Sequence, residues 1–209
     1  MRYAKLVDHD AMEGWRNKHL GETMIVCGCG PSIANIPRKI DVPTIGVNDI
    51  WAYHEARYVL MIDSMECFKA DRVARIEAGK PEHYFLASHA EMSWRKKHKP
   101  RMPHTIFDDG IMPGNNITTP SLAIGLAMFM GAKRVGVIGV DLTDHPTLKK
   151  RVAQVQKAFS ELMGVAWMLG DVELVNLSEH GADILLRRRT PEKFLAPITE
   201  GVSHGIRSS

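Results

Sequence analysis

Short apolar runs recur along the chain, and glycine, proline or polar residues bound each of them. They are rich in valine, isoleucine and leucine and lack a strict alternation of apolar and polar residues. This composition is typical of strands that are covered on both faces of a sheet. Six such runs predict six strands: TMIVCG (23–28), PTIGVN (43–48), YVLMID (58–63), YFLAS (84–88), RVGVIGVD (134–141) and VELVNL (172–177).

Helical patterns lie around these strands. Residues 10–20 are amphipathic and are expected to form a helix that Gly21 ends. Residues 119–133 begin with Thr-Pro and end with glycine followed by lysine, which predicts a buried crossover helix. Residues 147–169 carry an apolar stripe at three- and four-residue steps, typical of a long surface helix. The alternation predicts an α/β, Rossmann-like fold with a mainly parallel sheet and helices on both faces.

The domain organisation follows from length and composition. A chain of 209 residues that is 44% hydrophobic is large enough for one domain with a sizeable core, so residues 1–209 are predicted to form a single Rossmann-like domain. Residues 66–116 are rich in Lys, His, Pro and Met, and apart from the strand at 84–88 their periodicity is weaker. They are therefore predicted to form a lid or inserted subregion over the sheet edge.

Charge and apolar content narrow the class of protein. The net charge of +3 is well below that expected of a dedicated nucleic-acid binder. Two basic clusters, 94–101 and 187–189, are either solvated surface or contacts for phosphate. The longest apolar run, 121–130, is too short to span a bilayer, and the first residues lack the apolar stretch of a signal peptide. A cytoplasmic protein with reduced thiols and no zinc site is expected, because its three cysteines form no CxxC pair.

Candidate chemistry collects at the carboxyl ends of the predicted strands, where parallel sheets bind ligands. Gly28 and Gly30 would let the backbone approach an anion, and Ser32 is expected to cap the next helix and aim amide groups at phosphate. On this interpretation Gly30→Val abolishes nucleotide binding and leaves the fold largely intact. The alternative is a tight turn with a capped helix. The GxGxxG pattern fails at Ile33 and no Walker lysine follows, which disfavours NAD and P-loop ATP binding.

Other strand ends carry amide, carboxylate and imidazole groups. Asn48 can bind a sugar hydroxyl or a phosphate, or form a turn. Asp63 and Asp141 can hold Mg²⁺ or sugar hydroxyls, or cap helices and turns. His145 is a candidate general base, since the unperturbed pKa of imidazole lies near neutral pH. With ten histidines in the chain, a surface histidine is the alternative.

The stretch NNITTPS (115–121) opens the predicted crossover helix. The hydroxyl groups of Thr118 and Thr119 can grip a phosphate or a ribose there, and simple helix capping is the alternative. Together with the glycine turn, this helix start is expected to form a nucleotide cleft.

Several of these motifs occur in a fixed order, and the set resembles a known superfamily. It joins the bacterial sialyltransferases of the lipooligosaccharide type with pterin diphosphokinase-like proteins, and its small members are frequent in phages. The likeness runs from about residue 24 to 186. The motifs are GCGPS (28–32), GVND (46–49), YVLMID (58–63), NNITTPSLAIGLAMFMGAK (115–133), VGVIGVDLTDH (135–145) and VELVNLS (172–178).

In the sialyltransferase branch, the resemblance implies a CMP-sugar held by the glycine turn, an asparagine and a Thr-Ser-Gly stretch. Two residues depart from that pattern: Cys29 replaces an asparagine and Pro120 replaces a glycine. His145 is the nearest match to the catalytic histidine. The predicted nucleotide-binding set is Gly28, Cys29, Gly30, Pro31, Ser32, Asn48, Asp63, Thr118, Thr119 and Asp141.

The predicted function is a nucleotide-sugar-dependent glycosyltransferase that requires no cofactor or metal beyond its donor. Its acceptor would be a glycan or a hydroxymethylated nucleic-acid base, and whether it forms a homo-oligomer stays open. The other branch implies an ATP-dependent diphosphokinase with Mg²⁺ on Asp63 and Asp141. A third alternative is a non-catalytic nucleotide-binding phage protein. A phage-encoded protein would act in the host cytoplasm.

Overall fold

A computed structural model describes residues 9–88, 90, 91, 93, 103–107, 118–142, 152–170, 172–181 and 183–196. In these ranges eight strands form one sheet in which all neighbouring strands run parallel. The strands are β1 (Thr23–Cys27), β2 (Thr44–Val47), β3 (Tyr58–Met61), β4 (His83–Ala87), β5 (His104–Phe107), β6 (Arg134–Ile138), β7 (Glu173–Asn176) and β8 (Arg187–Arg188). The α-helices are α1 (His9–Glu13), α2 (Ala70–Ala78), α3 (Thr119–Phe129), α4 (Val152–Met168) and α5 (Pro191–Leu195).

The strand order is β5-β4-β3-β2-β1-β6-β7-β8. Strands β1 to β5 lie next to one another in chain order on one side of the sheet, and β6 then pairs with the other side of β1. The order therefore reverses between β1 and β6, and such a switch point leaves a crevice at the carboxyl edge where ligands bind. The turns after these two strands, residues 28–32 and 139–141, lie side by side at this point.

Helices cover both faces of the sheet, as the sequence predicts. Successive residues of β1 alternate between two cores, with Met24 and Val26 in one and Ile25 and Cys27 in the other. The first core includes residues from α1, α3 and α4. The second includes residues from α2, α5 and three short 3₁₀ helices, Pro31–Asn35, Ile50–Ala52 and Met65–Cys67. The α/β, Rossmann-like fold is confirmed.

The predicted first helix is shorter than expected, because it ends at Glu13 rather than running to residue 20. The segment after it hydrogen-bonds to the end of α3 instead. Helix α3 is buried at every position except Pro120, so its last carbonyl groups need partners from the protein. Backbone N–H groups supply them: Asn17 donates to Phe129 (3.1 Å), His19 to Met130 (2.7 Å) and Gly21 to Gly131 (2.9 Å).

The range 66–116, predicted to be a lid or inserted subregion, belongs in part to the main fold. Helix α2 packs on the sheet, and β4 and β5 extend it on the side of β3. Residues 94–102 and 108–116 lie outside the described residues, so a cover over the edge stays a prediction for them. No helix in the described ranges is long and apolar enough to cross a membrane.

Candidate functional site

The glycine turn after β1 packs tightly against the turn after β6. The N–H of Gly28 donates to the carbonyl of Ile138 and that of Gly30 to the carbonyl of Gly139, both at 2.7 Å. A Cβ atom on Gly28 would lie 2.3 Å from the oxygen of Gly139, and one on Gly30 would lie 2.5 Å from Oδ2 of Asp141. Contact between the two turns therefore requires glycine at both positions.

Ser32 joins the two turns but does not cap the 3₁₀ helix, so that prediction is wrong. The capping position belongs to Gly30, and no side chain bonds to the helix start. The backbone N–H of Ser32 donates to Oδ2 of Asp141 (2.8 Å), and its Oγ accepts from the N–H of Gly139 (2.9 Å). The Asp141 carboxylate therefore already accepts the hydrogen bond from the Ser32 amide that was predicted to bind phosphate.

Other amides of this turn are also bonded within the protein. The N–H groups of Gly28, Gly30, Ser32 and Ile33 all donate to acceptors within the protein, and Pro31 has no N–H. Phosphate-binding turns work by presenting several free amides to the anion. This turn is built instead to hold two loops together and to place Asp141.

Cys29, which replaces an asparagine of the resembling family, contacts the turn after β2. Its Sγ lies 3.3 Å from the carbonyl of Val47 and 3.7 Å from Oδ1 of Asp49. Burial, together with the negative charge of Asp49, raises the pKa of the Cys29 thiol to about 12, so it is a neutral thiol that donates to these oxygens.

Asp49 is the buried centre of an ion-pair cluster at this edge. Nε of Arg72 donates to its Oδ1 at 3.1 Å, and Nε of Arg75 lies 3.2 Å from its Oδ2. Both arginines come from α2 at three-residue spacing, so they reach the same carboxylate. Neither arginine is marked as a site residue by a pattern in the sequence. The available signal was Asp49 itself, because a carboxylate at the end of a buried strand needs a cationic partner.

Two acceptor oxygens that follow the strands on either side of β1 are buried without a hydrogen-bond partner among the described residues: Oδ1 of Asn48 after β2 and Oδ1 of Asp141 after β6. Asp141 is only 6% exposed. Asn48 has a φ of 54°, the left-handed region that non-glycine residues rarely adopt. A buried acceptor without a donor costs about 1–3 kcal/mol, so each oxygen is suited to accept a hydrogen bond from a bound molecule.

The hydroxyl of Thr118 belongs to a helix cap. Its Oγ1 accepts from the N–H of Ser121 (3.2 Å), and Oγ of Ser121 accepts from the N–H of Thr118 (3.1 Å). This reciprocal capping box is the alternative that the sequence left open for Thr118. Thr119 is buried in the first turn of α3.

Of the remaining candidate residues, one lies in the described part of the chain. Asp63 lies two residues beyond β3 at the carboxyl edge and is half-buried. His145, the candidate base, and the basic cluster 94–101 lie outside the described residues and stay predictions. In the described part of the chain, no group of three or more His, Cys, Asp or Glu side chains could hold a metal ion.

Comparison with known proteins identifies the fold. No protein-family model matches the sequence, and no curated protein sequence matches it. Among solved structures, the sialyltransferase CstII from Campylobacter jejuni in complex with the substrate analogue CMP-3FNeuAc aligns with a TM-score of 0.52 at 12% identity, over 85% of this chain and 89% of that one. CstII in complex with a trisaccharide acceptor and CMP aligns with a TM-score of 0.51 at 13% identity, over 85% and 89% of the two chains.

A second glycosyltransferase has the same arrangement. The MAf glycosyltransferase from Magnetospirillum magneticum AMB-1 aligns with a TM-score of 0.55 at 13% identity, and the match covers 93% of this chain but 40% of that protein. The fold is that of these glycosyltransferases. At such identities the likeness concerns the fold, and chemistry has to be argued from the residues at the edge.

The turn after β7 completes the described part of the site. Oγ of Ser178 lies 2.7 Å from Oγ of Ser32, and the N–H of Ser178 donates to Oδ1 of Asn176 (2.9 Å). Three strand ends, those of β1, β6 and β7, are thus linked through Ser32. In the sequence, Ser178 is the last residue of the VELVNLS motif, and no sequence pattern relates it to the glycine turn.

Proposed function

We propose that this protein is a nucleotide-sugar-dependent glycosyltransferase. The observation that carries the proposal is the pair of unpartnered acceptors, Oδ1 of Asn48 and Oδ1 of Asp141, which follow the two strands that flank β1. A nucleotide brings the donors that these oxygens lack, because its ribose hydroxyls and base amino or imino groups carry hydrogen. The glycosyltransferase fold supports the same class of chemistry.

Asp141 is the better-defined half of this pair. Its Oδ2 is held by the N–H of Ser32, so the carboxylate has one orientation before a ligand arrives and Oδ1 remains for a ribose hydroxyl. Asn48 would accept from the base or from a second hydroxyl. In this proposal, Gly28 and Gly30 serve the site indirectly, by letting the two turns approach closely enough to place Asp141.

The proposed reaction transfers the sugar from the donor phosphate to an acceptor hydroxyl. The acceptor oxygen forms a bond to the anomeric carbon, the bond from that carbon to the phosphate oxygen breaks, and the nucleotide leaves with the electron pair. A base takes the hydroxyl proton, and His145 is proposed for this role from its place after β6. The acceptor is proposed to be a glycan or a hydroxymethylated base.

A thermal-shift panel tests donor binding. CMP, UDP, GDP and ATP would each be added with Mg²⁺ or with EDTA. At least one of the first three should raise the melting temperature in EDTA, since a ligand at about 100 times its Kd adds about 2.7 kcal/mol to stability. Asp141→Asn should weaken that nucleotide about 10- to 100-fold, the value of a hydrogen bond to a charged group. Asp41→Asn, an exposed carboxylate elsewhere, is the control.

The panel also discriminates against the diphosphokinase alternative. Phosphoryl transfer from ATP needs a divalent ion to shield the phosphate charges. Stabilisation by ATP alone among the four, dependent on Mg²⁺ and lost in Asp63→Ala, would contradict the glycosyltransferase proposal.

A further inference from the structure

The turn of residues 178–181, here called the His180 turn, is fastened to the candidate site from the β7 side. Ser178 at its start bonds to Ser32, as described above. At its end, a Cβ atom on Gly181 would lie 2.9 Å from the carbonyl oxygen of Asp141 and 3.1 Å from its Cβ. Gly181 also has a φ of 107°. The backbone of the turn therefore lies directly against Asp141, in a conformation that favours glycine.

Arg188 fixes the same turn from the edge strand β8. Its Nη1 donates to the carbonyl of Glu179 (2.6 Å) and its Nη2 to the carbonyl of Gly181 (2.9 Å). The two carbonyl groups flank His180, so one planar guanidinium holds the backbone on both sides of that residue. Surface turns are usually among the more variable parts of a structure, whereas this one is held at both ends and from the side.

His180 is the exposed tip of this turn, and its imidazole is open to solvent at the carboxyl edge. The crevice at the glycine turn is unsuited to an anion, because the N–H groups of Gly28, Gly30 and Ser32 already donate within the protein and the Asp141 carboxylate lies among them. A donor whose ribose reaches Asp141 therefore has to direct its phosphate out of the crevice. The His180 turn adjoins Asp141 through Gly181 and carries an exposed imidazole.

We propose that the His180 turn binds the phosphate of the donor, with His180 donating a hydrogen bond to a phosphate oxygen and Arg188 acting as a positioning residue. This inference rests on the proposed function and adds the part of the site that receives the anionic portion of the donor. It gives Arg188, the middle residue of the basic cluster 187–189, the role of holding the His180 turn in place.

The test separates phosphate binding from nucleoside binding. Calorimetric titration would give Kd values for CMP, UMP, GMP and AMP and for the four matching nucleosides. For the base that the protein selects, the monophosphate should bind the wild type more tightly than the nucleoside. The ratio of the nucleoside Kd to the monophosphate Kd measures what the phosphate contributes to binding. His180→Ala should reduce this ratio about 10-fold and leave the nucleoside Kd unchanged, because only a charge-assisted hydrogen bond to the phosphate is lost.

Arg188→Gln should reduce the same ratio without changing the nucleoside Kd, which a general loss of stability would not do. Arg187→Gln, one residue earlier on β8 and also exposed, should leave both values unchanged. His180→Gln provides a second variant at the tip should the alanine variant fold poorly.

Three results would overturn the inference. If the ratio of nucleoside Kd to monophosphate Kd is unchanged in His180→Ala, the phosphate does not bind at this turn, and the proposed function is unaffected. A ratio that collapses in Arg72→Gln and not in His180→Ala would assign the phosphate to the cluster around Asp49. Failure of every nucleoside and nucleotide to bind the wild type would overturn the proposed function together with the inference.

Discussion

Gly28→Ala should cost about 3 kcal/mol or more of unfolding free energy, although it adds a single methyl group. The added Cβ would lie 2.3 Å from the carbonyl oxygen of Gly139 and 2.8 Å from its carbonyl carbon. These are backbone atoms, so no side-chain rotation can relieve the overlap. Gly139 has a φ of 72°, and its own Cβ would lie 2.2 Å from the oxygen of Gly28, so neither turn can retreat easily.

Gly164→Ala is the matched control for this measurement. Gly164 lies in α4, and a Cβ there meets nothing within 4 Å. The same substitution should therefore stabilise the protein by up to about 1 kcal/mol, through the higher helix propensity of alanine. Urea unfolding at neutral pH measures both variants. Equal stability of Gly28→Ala and the wild type would refute the close contact between the turns.

This contact also corrects the expectation for Gly30→Val. The sequence suggests that the variant loses nucleotide binding in an intact fold. In the structure, however, the position of its Cβ is 2.5 Å from Oδ2 of Asp141 and 2.7 Å from the oxygen of Gly139. Lost binding in that variant would follow from disruption of both turns, so it cannot serve as a test of phosphate binding.

His145→Ala should lower turnover by about 100- to 10,000-fold, the usual loss when a general base is removed. His145 follows the carboxyl end of β6 closely in the sequence, which is the end of the sheet where the donor is proposed to bind. A base acts on the acceptor proton and contributes little to holding the nucleotide. The nucleotide Kd should therefore change little, in contrast to the effect expected of His180→Ala.

Steady-state rates and nucleotide affinities of the two histidine variants, measured side by side, check this assignment. The expected pattern is a fall in kcat for His145→Ala and weaker phosphate binding for His180→Ala. Near-normal kcat in a folded His145→Ala protein would exclude it as the base.

The fold could be predicted largely because its central strands carry the apolar signal of a buried sheet. All six predicted strands are present. The two that were missed, β5 and β8, are the outermost strands of the sheet. β5 begins with His-Thr and β8 is Arg-Arg, so neither carries a long apolar run. Edge strands are held partly by backbone hydrogen bonds to one neighbour, which leave little trace in a hydrophobic pattern.

The site was harder to predict because it is formed by contacts between residues that are far apart in the sequence. The sequence locates the glycine turn and Asp141 at the correct edge, but the bond between Ser32 and Asp141 joins residues 109 positions apart. The same glycines suit an anion site or a tight contact between turns, and only the position of Gly139 distinguishes these. For Thr118, the hydroxyl that suits a phosphate equally suits a capping box, and the partner Ser121 decides between them.

Transfer of a sugar from a nucleotide at this edge of the sheet can be followed by ³¹P NMR, which distinguishes a sugar nucleotide from the free nucleotide. The protein would be incubated with CMP-, UDP- and GDP-sugars, a pool of oligosaccharide acceptors and EDTA, and separately with ATP, Mg²⁺ and a hydroxymethylpterin as the acceptor of a diphosphoryl group. We expect the phosphorus signal of one sugar nucleotide to be replaced by that of the free nucleotide in the presence of EDTA, and the ATP signals to be unchanged. Conversion of ATP to AMP with every sugar nucleotide intact would contradict this expectation.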